Sequence, residues 1–166
     1  MRITRLIMIA LMALSVASPA FALNVKKSAK VAVSPAKAWS VVSDLCAIGS
    51  WHPSVASCEL SQVDGVILRK LTLNPTGTIV EKFIRRDRLH QTMTYDLVSS
   101  PLPIEHYVST MTVARSGKGS VITWEGNFMP QKGIPDEDAT SWISDIYDDG
   151  LESFSKYLTG AKTSAQ

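Results

Sequence analysis

The stretch that decides the fold is the last long one, 136-DEDATSWISDIYDDGLESFSKYLTG-160. Ala139, Trp142, Ile143, Ile146, Tyr147, Leu151, Phe154 and Leu158 fall on one stripe of helical period, which makes this an amphipathic helix with one broad apolar face. Asp136, Glu137 and Asp138 put negative charge at its start, Lys156 sits in its last turn, and Gly160 is placed to end it. An apolar stripe of this length needs a large apolar surface to lie on.

The segments upstream supply that surface. Residues 55–63, 66–73, 78–86, 90–98, 104–115 and 120–129 read as strands. The turns between them are Asp64-Gly65, Asn74-Pro75-Thr76-Gly77, Arg86-Asp87-Arg88, Ser99 to Pro103 and Ser116 to Gly119. Links this short produce an antiparallel meander, because parallel neighbours need long crossovers. A further strand is expected at about 24–33. Ser34-Pro35 then caps a short helix through Val42, and a second helical turn follows over Asp44 to Ser50. The expected class is α+β: a seven-stranded curved antiparallel sheet around a long C-terminal helix, with two short helices after the first strand. A sheet wrapped on one helix leaves a hollow. Gly150, inside the apolar stripe, would either widen that hollow or allow a close helix–sheet contact.

Residues 1–22 are set apart. Arg2 and Arg5, the apolar run Leu6 to Val16 and the small-x-small Ala20-Phe21-Ala22 form the pattern of a cleavable secretory signal, too short for a stable membrane span. No later stretch is apolar for long enough to span a bilayer. Cleavage would leave residues 23–166 as a single domain delivered to the periplasm. Removing Arg2 and Arg5 takes the 17 basic residues to 15, equal to the 15 acidic ones, and no basic stripe remains for a nucleic acid. In an oxidising compartment Cys46 and Cys58 are a candidate disulfide, worth about 3 kcal/mol on chain-entropy grounds. The alternative is two buried thiols that do not face each other.

The order of these pieces resembles the START, or SRPBCC, superfamily, which includes polyketide cyclases/dehydrases and birch-pollen-allergen-like proteins and has the helix-grip fold. The resemblance is carried by Ser34-Pro35 with Trp39, Trp51-His52-Pro53 with Cys58, and Glu81-Lys82-Phe83. Ser100 to Pro103 with Tyr107, and Trp124-Glu125-Gly126-Asn127-Phe128, complete it; the whole spans about 25–160. Within it the plant abscisic-acid receptors look like distant relatives. That likeness puts His52 where those receptors carry a cavity lysine that pairs with a ligand carboxylate, and Glu81, Tyr107, Ser109 and Glu125 on pocket positions. The receptors' gate and latch loops are replaced by Leu73 to Gly77 and Pro101 to Pro103, so hormone signalling does not carry over. A second likeness is to the exported MxaD-type proteins of bacterial methanol oxidation. It implies an accessory that helps a periplasmic quinoprotein dehydrogenase work with its cytochrome.

Alternation along the strands turns these likenesses into a cavity. With Glu81 facing the helix, Tyr95, Tyr107, Ser109 and Glu125 are expected beside it, with Trp142 and Ile146 from the helix and His52 at the rim. Such a wall, apolar with a few convergent polar groups, fits a small apolar ligand. Two carboxylates there need a neutralising partner, for which His52, Arg69 or Lys70 are available; otherwise each pairs with a cation on the outer face. Trp124, Ile122 and Phe128 would then lie on the convex side, either as a partner surface or as half-covered strand residues. His52 with Glu81 is the natural acid–base pair for a cyclase-like enzyme, the alternative to a carrier of a lipid or isoprenoid. No nucleophile–histidine–acid set, phosphate loop or spaced metal-ligating histidines is present, and His90 and His106 read as surface residues. The expectation is a binding protein with no catalytic residue, metal or cofactor.

Overall fold

The computed structural model describes residues 22–160, so the expected signal at 1–22 lies almost wholly outside the described residues. In chain order the elements are β1 (Leu23–Val31), α1 (Pro35–Val42), α2 (Ile48–Trp51), β2 (Val55–Val63), β3 (Val66–Leu73), β4 (Thr78–Asp87), β5 (Thr92–Ser99), β6 (Ile104–Ser116), β7 (Gly119–Pro130) and α3 (Asp136–Thr159). The seven strands form one antiparallel sheet in the order β1-β7-β6-β5-β4-β3-β2. Bulges in β2, β4 and β6 interrupt the ladders and help bend the sheet around α3.

Local chemistry sets the element ends. Ser34 accepts a hydrogen bond from the Lys37 amide at 3.3 Å and Pro35 takes the first helical position, so α1 starts there. α3 begins at Pro135 without a side-chain cap, its first turn carries three acids, and Gly160 closes it at φ 71°. That left-handed value favours glycine because it has no Cβ to clash.

The core lies between α3 and the concave face of the sheet. Ile143, Tyr147, Leu151, Phe154 and Leu158 pack on Met93, Met111, Val113, Ile122, Trp124 and Phe128, all buried. This corrects the expected face of β7. Trp124 is 3% exposed and Phe128 fully covered, so neither belongs to a convex partner surface. Ser109, Met111 and Val113 of β6 stand opposite Gly126, Trp124 and Ile122, and directly opposed residues of an antiparallel pair share a face. Glu125 therefore points outward, with Thr123 and Val121. A phase error of one residue inverts a whole strand.

Trp142 is also displaced from its expected place. It is 39% exposed, at the margin of the α3 stripe, and does not reach the hollow. Gly150 serves the close contact rather than a space: a Cβ there would come within 2.8 Å of the His52 ring and of Trp124.

Candidate functional site

Cys46 and Cys58 are joined, tying the α1–α2 connection to β2. This tie holds Trp51 and His52 against the core, with Pro53 exposed beside them. Trp51 is buried between Trp124 and Phe154, with ring centroids 5.9 and 4.9 Å away, and His52 meets Trp124 edge-on.

His52 is buried with both ring nitrogens engaged. The Ser54 amide donates to Nδ1 at 3.2 Å, which makes Nδ1 an acceptor; Nε2 therefore carries the hydrogen and donates to the Ile146 carbonyl at 3.2 Å. Burial lowers its pKa, against smaller opposing effects of that carbonyl and of Asp149. The ring is a neutral clamp between the α2–β2 turn and α3. A base would need a free nitrogen.

Beneath it is a cavity of about 230 Å³ between α3, the α2 region and strands β3 to β7. Leu71, Leu73, Ile79, Leu97, Ile104 and Ile143 make most of its wall, while His52, Glu81, Tyr95, Tyr107, Trp124 and Ile146 bring the other expected and unexpected groups. Of the residues singled out in the sequence, His52, Glu81, Tyr95, Tyr107 and Ile146 converge here. Ser109 lies behind the wall, fully buried. Glu125 is outside on the convex face, where Lys26 at 3.0 Å and Asn24 hold its carboxyl below the ordinary range. Trp142 is outside as well. Trp124 is the lining residue that the receptor likeness misplaced by putting Glu125 inward; its register opposite Met111 sets it on the cavity side.

Arg69 and Glu81 face each other across β3 and β4, and both are buried. Arg69 Nε donates to Glu81 Oε2 at 2.7 Å, and Nη2 lies 2.6 Å from the same oxygen as a close charge contact. Nη1 donates to the Leu45 carbonyl at 2.7 Å, and the guanidinium sits over the Tyr95 ring. Burial pushes the Glu81 carboxyl up and Arg69 opposes it. Because a guanidinium does not lose its proton, the ionised carboxylate is the state that leaves no buried charge unpaired. Oε1 accepts no hydrogen bond among the described residues, and Glu81 lines the cavity.

Behind the wall runs a chain of donors. Ser109 Oγ donates to the Glu125 carbonyl at 3.1 Å and receives the Tyr147 hydroxyl at 3.1 Å. Tyr147 in turn receives Tyr107 at 2.6 Å, and the Trp124 indole donates to both Tyr95 and Ser109 at 2.8 and 2.9 Å. Gly126 makes room, since a Cβ there would overlap the Tyr147 hydroxyl. Burial pushes Tyr95 up to about 12 and raises Tyr107 and Tyr147 as well, so the phenols stay protonated. No group of three metal-ligating side chains gathers among the described residues, and no helix among them is long and apolar enough to cross a membrane.

A hollow of this kind, gripped by a long helix, is shared with a known family. The family model described as polyketide cyclase / dehydrase and lipid transport matches residues 22–159. The chain belongs to this family. Among solved structures it is similar to XoxI from Bacillus cereus, at 25% identity and a TM-score of 0.75, covering 82% of this chain and 95% of that one. An uncharacterised protein from Bacillus thuringiensis is similar at 24% identity with a TM-score of 0.75, over 82% and 99% of the two chains. Ara h 8.0201 shares the fold at 17% identity and a TM-score of 0.68, over 84% and 99%. No curated protein matches the chain. Membership in the family agrees with the helix-grip architecture and with a protein that binds an apolar ligand.

Proposed function

We propose that this family member is an exported, non-catalytic binding protein that carries a small apolar molecule in its helix-grip cavity. One observation carries the reading: the hollow is almost wholly aliphatic and aromatic, and apart from Glu81 Oε1 its polar groups are engaged by the protein. His52 is clamped at both nitrogens, Arg69 is spent on Glu81 and Leu45, and the tyrosines are hydrogen-bonded. That arrangement holds a ligand without offering a poised acid–base pair, which favours carriage over cyclase-like turnover. Export to the periplasm is supported by the basic-apolar-small pattern of residues 1–22 and by the Cys46–Cys58 bond, which suits an oxidising compartment.

An accessory role beside a periplasmic dehydrogenase or its cytochrome would need a docking surface other than Trp124 and Phe128, since both are buried. The cavity is therefore the better-supported seat of function. Native mass spectrometry of the full chain, expressed with residues 1–22 and released by osmotic shock, tests this. The expected result is a shortened protein in the periplasmic fraction that retains a small organic molecule. A protein that emerges empty, and is not stabilised by any neutral apolar compound, would overturn the carrier reading.

A further inference from the structure

We infer that the cavity selects an uncharged, hydroxyl-bearing ligand of about one substituted ring, an alcohol or phenol whose O–H donates to Glu81 Oε1. The inference rests on the binding role proposed above and specifies its ligand.

Four observations converge. First, Arg69 takes up one oxygen of Glu81 only. Its Nε and Nη2 both crowd Oε2, which leaves Oε1 as an acceptor on the cavity wall. A carboxylate oxygen that opens on a wall of Leu71, Ile79 and Leu97 gains a charge-assisted bond when a ligand hydroxyl donates to it.

Second, no cation is free to meet an acidic ligand. Arg69 is the one guanidinium near the hollow among the described residues; its Nε and Nη1 donate to Glu81 and Leu45, and Nη2, which makes no hydrogen bond, is held 2.6 Å from the Glu81 Oε2 that balances its charge. His52 also lines the hollow. It is neutral, and protonating Nδ1 would break its bond from the Ser54 amide. A carboxylate ligand would bring a second negative charge beside Glu81 with nothing to balance it.

Third, a cationic ligand fails for the converse reason. Arg69 already neutralises Glu81, so an ammonium would leave a net positive charge buried in an apolar wall. Fourth, size sets the rest. A dry cavity of roughly 150 Å³ takes benzene, and drug-sized ligands occupy roughly 300 Å³ or more. A volume of about 230 Å³ lies between, which suits a ring with a short alkyl substituent.

The test is calorimetric titration of the intact, ligand-free protein with four matched probes at neutral pH: 4-propylphenol, 4-propylanisole, 4-propylbenzoate and 4-propylbenzylamine. The phenol should bind about tenfold or more tightly than its methyl ether, which keeps the shape and loses the donor. The benzoate and the amine should show no binding at concentrations that saturate with phenol. In the Arg69→Met, Glu81→Leu double variant, which removes both charges together, the preference for phenol over ether should fall to about equality. Equal or tighter binding of the ether, benzoate or amine in the unaltered protein would overturn the hydroxyl rule while leaving the carrier reading intact. Failure of all four to bind would overturn this inference, while the carrier reading would stand or fall on the native mass spectrum.

Discussion

At the scale of single residues, His52 shows how position can cancel the chemistry a side chain is known for. Its imidazole lies within reach of the cavity, but the Ser54 amide and the Ile146 carbonyl occupy its two nitrogens. Burial lowers its pKa below the ordinary 6.5, so the unfolded chain binds the proton more readily than the folded one. The stability that depends on neutral His52 is full above 6.5 and is lost as pH falls through the lowered folded value. Urea unfolding should show this as a loss of stability as pH falls below the ordinary 6.5 that is shallower in His52→Gln. Equal slopes in the two proteins would show that acid sensitivity comes from other groups. Gly150 belongs to the same account. It lets α3 approach until its backbone touches the His52 ring, an arrangement that a methyl group would obstruct.

At the scale of elements, β3 and β4 are joined by more than their ladder. Arg69 and Glu81 are directly opposed, buried together, and anchored through Leu45 to the segment between α1 and α2. Removing one partner strands the other charge in an apolar interior, at a cost of roughly 3–5 kcal/mol, whereas replacing both with apolar groups is often close to neutral. Arg69→Met should therefore unfold at much lower urea than the parent. The Arg69→Met, Glu81→Leu double variant should regain most of the loss. If the double variant were as unstable as the single, the pair would be contributing net stability rather than only neutralising itself. Glu125 gives the contrast. Its exposed contact with Lys26 is worth about 0–1 kcal/mol, and Glu125→Gln should leave both stability and ligand binding unchanged within measurement.

At the scale of the whole molecule, the disulfide, the aromatic cluster and the cavity form one assembly. The Cys46–Cys58 bond fixes the turn that carries His52 and Trp51, and these pack on Trp124 and Phe154. Cys46→Ser with Cys58→Ser should lower unfolding stability by about 3 kcal/mol, since the bond closes a loop of 12 residues. It should weaken ligand retention as well, because the clamp on α3 loosens. Unchanged stability in the double serine variant would mean that packing alone holds the turn.

The sequence by itself determined the architecture. The apolar stripe of α3, the Ser34-Pro35 start of α1 and the turn residues between strands are local signals, and they act within a few residues of where they are read. The family likeness, not a local signal, sets His52, Glu81 and Tyr107 on the pocket, and alternation and helical period add Tyr95 and Ile146. Only the tertiary structure decided the rest. Whether Trp124 or Glu125 faces inward depends on register against β6. A period-two pattern with large and polar residues on both faces does not reveal that register. Trp142 and Ile146 share the margin of one helical stripe, and the curvature of the sheet chooses which of them it covers. Arg69 is one of three cations available to Glu81, and the register of β3 on β4 chooses it, while the locking of His52 by Ile146 joins groups far apart in the chain that no local pattern announces. Periodicity is a property of one strand or helix; which side is buried is a property of its neighbours.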